Sequence, residues 1–301
     1  MNKKSSSLGW IVKICTAGAA VGLTALGARA EAPQDGISQE AGASYSYSPS
    51  AGVERAGVKT GEVKVQNFAF DYRLGYQMAP GTRLLAGVNA GTTELGVDGA
   101  AALPDRLRAV GLMAGVNQNL AEWWGPGWST TALVRTVWTS TEANLSGAGV
   151  AVQGVWTANY QQSATLAWNA GLVAGTHGRY AVLPVAGVRW NFAPDWTLAA
   201  GFPETKLAYS VTPQLGVKLA ASFLGGSYHV EKAPAAGLGN TYLDYHEIRV
   251  GLGADYTVAP GVTVGAEAGA VVNRRFDYFD RDTKIEGRSA GYVALSLRAR
   301  F

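Results

Sequence analysis

The feature that most constrains this chain is a two-residue period in its apolar side chains, carried through stretches of about ten to sixteen residues and broken by turn-forming segments. From Asn67 to Met78, the residues Phe68, Phe70, Tyr72, Leu74, Tyr76 and Met78 share one strand face. Asn67, Asp71, Arg73 and Gln77 share the other. The stretch 180–192 repeats the pattern, with Tyr180, Val182, Pro184, Ala186, Val188, Trp190 and Phe192 opposed to Gly187, Arg189 and Asn191. Pro184 counts as a defect there, because its missing N–H weakens a paired strand. No sustained helical spacing and no run of eighteen apolar residues follows residue 30, which excludes a bundle of membrane-spanning helices.

The first thirty residues read differently. Lys3 and Lys4 precede an apolar stretch from Ile14 to Leu26, and Ala28-Arg29-Ala30 stands before Glu31. This is the pattern of a cleaved secretory signal, and Lys13 leaves an apolar core of only about thirteen residues, short of a spanning helix. The expected organisation is a signal peptide over 1–30 and one domain over 31–301, since no linker or low-complexity run divides Gln39 to Phe301. Removing Lys3, Lys4, Lys13 and Arg29 takes the 25 basic residues to 21 against 22 acidic, so the formal charge falls from +3 to −1. The basic balance belongs largely to the signal and argues for no nucleic-acid partner. The single cysteine, Cys15, lies in the same segment, so the remaining chain has no disulfide and no thiolate chemistry.

Aromatic residues mark the ends of apolar faces. Trp128 and Trp138 share a face, as do Tyr180 and Trp190. Ten residues at about 3.3 Å each, tilted near 40°, cover roughly 25 Å, the height of the apolar band of a membrane β-barrel between its aromatic girdles. Turns fall into two kinds. Short ones recur at Met78-Ala79-Pro80-Gly81, Phe192-Ala193-Pro194-Asp195, Val211-Thr212-Pro213-Gln214 and Val258-Ala259-Pro260-Gly261, where proline presets φ. Longer polar segments, around 54–59, 96–105, 141–147, 232–240 and 279–287, are expected as outward-facing loops.

The predicted fold is therefore all-β: a transmembrane antiparallel up-and-down barrel with strands near 39–51, 62–78, 82–95, 106–120, 128–141, 148–160, 165–176, 180–192, 196–202, 206–211, 214–230, 242–257, 262–277 and 287–301. That makes 14 strands. Those proposed between Trp196 and Val211 are short for a membrane crossing. If that segment stays on the short-turn rim, the number is 12. At the carboxyl end, Gly291, Val293, Leu295, Leu297, Ala299 and Phe301 alternate with Tyr292, Ala294, Ser296, Arg298 and Arg300. This resembles the terminal signature by which outer-membrane barrels are recognised by their insertion machinery, and implies that machinery and outer-membrane lipid as partners.

Gly201-Phe202-Pro203-Glu204-Thr205-Lys206 running into Tyr209, then Gly225-Gly226-Ser227-Tyr228 and the strand from Tyr242 to Val258, resemble an uncharacterised family of bacterial outer-membrane β-barrel proteins. The resemblance covers most of the chain beyond the signal. It implies the barrel and location in a bacterial outer membrane, and assigns no activity.

Little in the sequence points to catalysis. Asp244-Tyr245-His246-Glu247 is the only local group with the composition of an acid–base site, Asp244 and His246 share one strand face, and the expectation is a hydrated strand end rather than an enzyme. His177, His229 and His246 are scattered, and Asp280-Arg281-Asp282-Thr283-Lys284 lacks the glycine and glutamate of a calcium loop, so no metal and no cofactor are expected. The inward face says more. Alternation places Asp71, Arg73, Arg83, Arg135, Arg189, Lys218, Glu247, Arg249, Asp255, Glu267, Arg275, Arg288, Arg298 and Arg300 there, because an Arg or Lys facing mid-bilayer hydrocarbon costs about 2–4 kcal/mol. Two readings follow: a passive, cation-lined pore for small hydrophilic solutes, or a non-conducting structural or surface-binding barrel closed by Arg–carboxylate networks.

Overall fold

A computed structural model describes residues 36–143, 147–176 and 181–301. The signal expected over 1–30, together with Tyr180 and His177, lies outside the described residues. The strands are β1 (Ile37–Arg55), β2 (Val58–Ala79), β3 (Thr82–Gly99), β4 (Arg106–Asn119), β5 (Trp128–Ser140), β6 (Val150–Gln161), β7 (Leu166–Gly175) and β8 (Val182–Ala193). They continue as β9 (Trp196–Gly201), β10 (Glu204–Ser210), β11 (Leu215–Val230), β12 (Thr241–Ala259), β13 (Val262–Tyr278), β14 (Thr283–Gly287) and β15 (Ala290–Arg300). Both β14 and β15 lie between β13 and β1, so they are two pieces of one crossing. The barrel is a closed, antiparallel ring of 14 crossings. β9 pairs with both β8 and β10, which decides against twelve.

The ring closes at the termini, where Gln39 and Phe301 exchange backbone hydrogen bonds of 3.1 and 2.9 Å. The proline turns sit on this same rim, together with α1 (Ala121–Trp124). Just inside it, aromatic rings form a belt: Trp128 stacks on Tyr160 at 4.6 Å, and Trp190, Phe192, Trp196 and Tyr209 follow one another at 5.5, 6.1 and 4.9 Å. The residues read as one face of each strand are the exposed ones, Leu252 at 69% and Leu295 at 61%. A soluble sandwich would bury them; a membrane-spanning barrel turns them to lipid.

Above the lipid band the pattern inverts. On β2 the inward side chains change from Asp71 and Arg73 to Val65 and Val63, while the outward ones change from Phe70 and Phe68 to Gln66, Lys64 and Glu62. β12 repeats this with inward Tyr245 and Leu243 against outward His246 and Asp244, and β13 with inward Phe276 and Tyr278 against outward Arg275 and Asp277. The outer end is therefore apolar inside and polar outside, with the outward polar side chains part-exposed on β2 and Asp244, His246 and Asp277 buried on β12 and β13.

That outer barrel is narrower than the ring below it. β11 follows the wall until Phe223, whose N–H donates to Pro203. It then turns inward at Gly225-Gly226; Gly225 has φ +147°, and a Cβ there would stand 2.1 Å from the Tyr245 carbonyl oxygen. The far end of β11 reaches the end of β5, where Thr141 N–H donates to His229 O at 3.1 Å. Strands β6 to β10 are left out of this smaller ring.

Two segments expected to face outward fold into its mouth instead. Leu103 from the β3–β4 connection and Leu238 from the β11–β12 connection are buried in the apolar cluster, and Tyr278 Oη donates to Ala102 O at 2.8 Å. The physical reason is that both carry apolar residues that the open end of the core can cover.

Candidate functional site: the lumen and its outer plug

The inward face of the lower ring becomes steadily drier toward the outer end. Side-chain exposure falls from 52% at Arg298 to 41% at Asp255, 20% at Glu267, 5% at Arg249 and 0% at Glu247. One connected set of polar groups runs along this gradient. Lys218 pairs with Asp255 at 3.0 Å and lies 3.9 Å from Glu267. Glu267 accepts the Tyr292 hydroxyl at 2.5 Å, and the Arg249 guanidinium lies over the Tyr292 ring at 5.0 Å. Gly251 makes this possible, since a Cβ there would meet the Tyr292 hydroxyl at 2.3 Å.

At the top of the set Glu247 accepts from two guanidiniums, Arg249 Nε at 2.8 Å and Arg274 Nε at 2.5 Å. Two cations around one carboxylate leave an excess positive charge in a dry place, and neutral acceptors share it: Arg249 donates to Ser46 Oγ and Arg274 to Ser48 Oγ, both at 2.9 Å. Tyr245 and Phe276, stacked at 5.0 Å, belong to the apolar core immediately above. Core and ion cluster together plug the outer end of the lumen.

The remaining expected lumen residues divide by wall. On β2 to β8 the structure sets Arg73, Arg83, Arg135 and Arg189 on the inward face with one inward acid, Asp71, among the described residues. Asp71 pairs with Arg73 at 3.4 Å, and Arg135 donates to Asn89 at 3.2 Å. On β10 to β13 the charges are mutually paired, Lys206 with Glu204 at 3.1 Å in addition to the Lys218 group. At the rim, Arg298 and Arg300 share Glu40 at 3.2 and 3.6 Å.

Two expected positions are corrected. Arg275 faces outward and pairs with Glu286 at 3.0 Å, because Val272 is an extra residue between the Ile248–Asn273 and Arg249–Val271 partners and shifts the alternation beyond it. Arg274 takes the inward position. Arg288 likewise faces outward against Glu54 at 2.6 Å, in the break between β14 and β15. The adjacent apolar pair Val271-Val272 was the sequence sign of that shift. Ser46, Ser48 and Tyr292 carried no such sign, since serines and a tyrosine on a barrel strand have no distinctive spacing.

Asp244 and His246 share a face as expected, but form no couple. Asp244 accepts from the Ser227 hydroxyl, and neither His246 ring nitrogen has a hydrogen-bond partner. Asp280 accepts from the Thr241 hydroxyl. Among the described residues, no three His, Cys, Asp or Glu side chains converge as a metal site.

Residues 100–286, from the β3–β4 connection through most of β14, match the family described as Domain of unknown function (DUF6268). The chain belongs to that family. The DUF6268 segment contains β11 with its Gly225-Gly226 bend and three of the plug residues, Glu247, Arg249 and Arg274. No curated protein matches the sequence. Among solved structures the chain is similar to the COG4313 outer membrane channel from Pseudomonas putida F1, with a TM-score of 0.50 and 11% identity over 89% of this chain and 99% of that one. It is also similar to a Pseudomonas aeruginosa FadL homologue, with a TM-score of 0.47 and 10% identity over 89% of this chain and 90% of that one. At such identities the first likeness speaks to fold, that of outer-membrane barrels.

Proposed function

We propose that this barrel is an outer-membrane channel for small hydrophilic solutes, open toward the short-turn rim and closed at its outer end by the Glu247–Arg249–Arg274 plug. The proposal includes export through cleavage near Ala30 and insertion by the barrel machinery through the strand ending at Phe301. The observation that carries it is the exposure gradient: a hydrated, charge-lined lower lumen has no structural use in a solid scaffold, where polar groups cost more than apolar packing. The basic β2 to β8 wall supports a preference for anions.

A second reading, a non-conducting structural or surface-binding barrel, is favoured by the pairing of both plug arginines with Glu247. Planar-bilayer recording separates the two. Under the channel reading the unmodified protein gives rare openings, Arg249→Ala together with Arg274→Ala gives frequent ones, and the reversal potential in a salt gradient has the sign of anion preference. A correctly folded double variant that never conducts would favour the scaffold.

A further inference from the structure

The barrel wall has a break in it. β9 begins pairing with β8 only at Gly187, so Val182 to Ala186 of β8 run on without a neighbour on that side among the described residues. On the opposite side β10 pairs with β11 no further than Ser222, and Phe223 bonds only to the hairpin tip at Pro203. Pro184 fits this edge. Asn191 donates to Thr165 and Ala181 accepts from Gly175, so odd-numbered residues of β8 turn their backbone groups toward β7. Pro184 therefore points its substituted nitrogen at the unpartnered edge, where no ladder bond is lost. What reads as a defect in a paired strand is a fitting residue for the border of an opening.

A ladder of rings leads inward from that opening. Phe202, at the hairpin tip and 38% exposed, lies 5.5 Å from Phe223, which is stacked at 5.5 Å and 19° on His246. His246 is only 7% exposed, yet both its ring nitrogens lack a partner. Its cross-strand neighbour is Arg275, whose Nη2 pairs with Glu286 while Nε is buried and unpartnered. Buried polar groups left unbonded are costly, and the His246 ring and Arg275 Nε stand side by side at the end of an apolar path, able to donate to one acceptor.

We propose that this lateral notch is a binding site for a small aromatic carboxylate, its ring packed along the Phe202–Phe223 pair and its carboxylate accepting from His246 and Arg275 Nε. Aromatic stacking supplies the affinity for the ring, and charge-assisted hydrogen bonds select the carboxylate over neutral or ringless molecules. The site stands apart from the axial lumen and does not depend on the channel reading.

Equilibrium dialysis of labelled benzoate against the folded protein in lipid nanodiscs tests it, with acetate and benzyl alcohol for comparison. Saturable benzoate binding is expected, weakened about tenfold or more by His246→Ala and by Phe223→Leu, with acetate and benzyl alcohol much weaker in every case. Phe202→Ala, at the exposed tip, provides a milder variant should either of the others fail to show heat-modifiable migration. Benzoate that only partitions without saturation, or binds equally to the unmodified protein and the folded variants, overturns the proposal. Bilayer conductance of His246→Ala, expected to equal that of the unmodified protein, keeps this outcome separate from the fate of the channel reading.

Discussion

The two ends of this barrel use the same strands in opposite ways. Between the aromatic belt and the plug, β2 and β12 turn Phe70 and Leu252 outward and Asp71 and Asp255 inward; beyond it, the same strands turn Val63 and Leu243 inward and Lys64 and Asp244 outward. The lower end is solvated by lipid outside and water inside; at the outer end apolar side chains fill the interior, and the polar outward face is part-exposed on β2 and buried on β12. The polarity of a strand face therefore follows the surrounding medium, and the plug lies where the medium changes. A strand that kept one polarity throughout would leave either charges in lipid or an exposed apolar surface in water.

If this division is right, equivalent changes have unequal costs on its two sides. The largest effect belongs to Glu247→Ala, which strands two guanidiniums in a dry site and is expected to destabilise the fold by about 3–5 kcal/mol. Denaturant unfolding in lipid or detergent measures it. Leu243→Ala, in the outer core, should cost about 2–5 kcal/mol by leaving a cavity. Leu252→Arg, exposed on the same strand, should cost about 2–4 kcal/mol because its surroundings are hydrocarbon. A water-facing leucine would accept that change within about 0.5 kcal/mol, so a neutral result would deny the lipid band at Leu252. Below the plug, Asp255→Asn should cost no more than about 1 kcal/mol, since Lys218 and Asp255 are part-solvated.

The smallest effect lies beyond the membrane, at Glu62. The Lys59 ammonium, 2.8 Å away, bonds its carboxylate and holds its pKa below the ordinary 4.5. A depressed acid contributes stability above its unfolded pKa and loses it as pH falls through the folded value. An NMR titration of Glu62 should therefore show a midpoint below 4.5 that returns toward it in Lys59→Met.

Much of this fold was legible before any coordinates. Two-residue alternation gave most of the crossings, the proline turns flanking residues 196–211 kept the short hairpin that makes fourteen rather than twelve, and the even number put both ends of the barrel wall on one side, because lipid and tight turns act locally on sequence. Pro184 was visible but misjudged, since whether a proline harms a strand depends on which edge its nitrogen faces. The plug was less legible. Its carboxylate and one arginine were read as inward, but Arg274 and Arg275 were exchanged by the single extra residue at Val272. The inward turn of β11 and the tucking of Leu103 and Leu238 depend on contacts between distant segments, which no local period records.

Accessibility along the lumen tests the sealed outer end most directly. With Cys15 replaced, single cysteines are introduced by Ser296→Cys in the lower lumen and Ser46→Cys in the plug, and each oriented preparation is treated with a membrane-impermeant maleimide from either side. The sealed barrel predicts that Ser296→Cys is labelled rapidly from the short-turn side and slowly from the outer side, while Ser46→Cys stays unlabelled from both until the protein is unfolded. Rapid labelling of Ser46→Cys from the outer side in the folded protein would contradict a closed outer end.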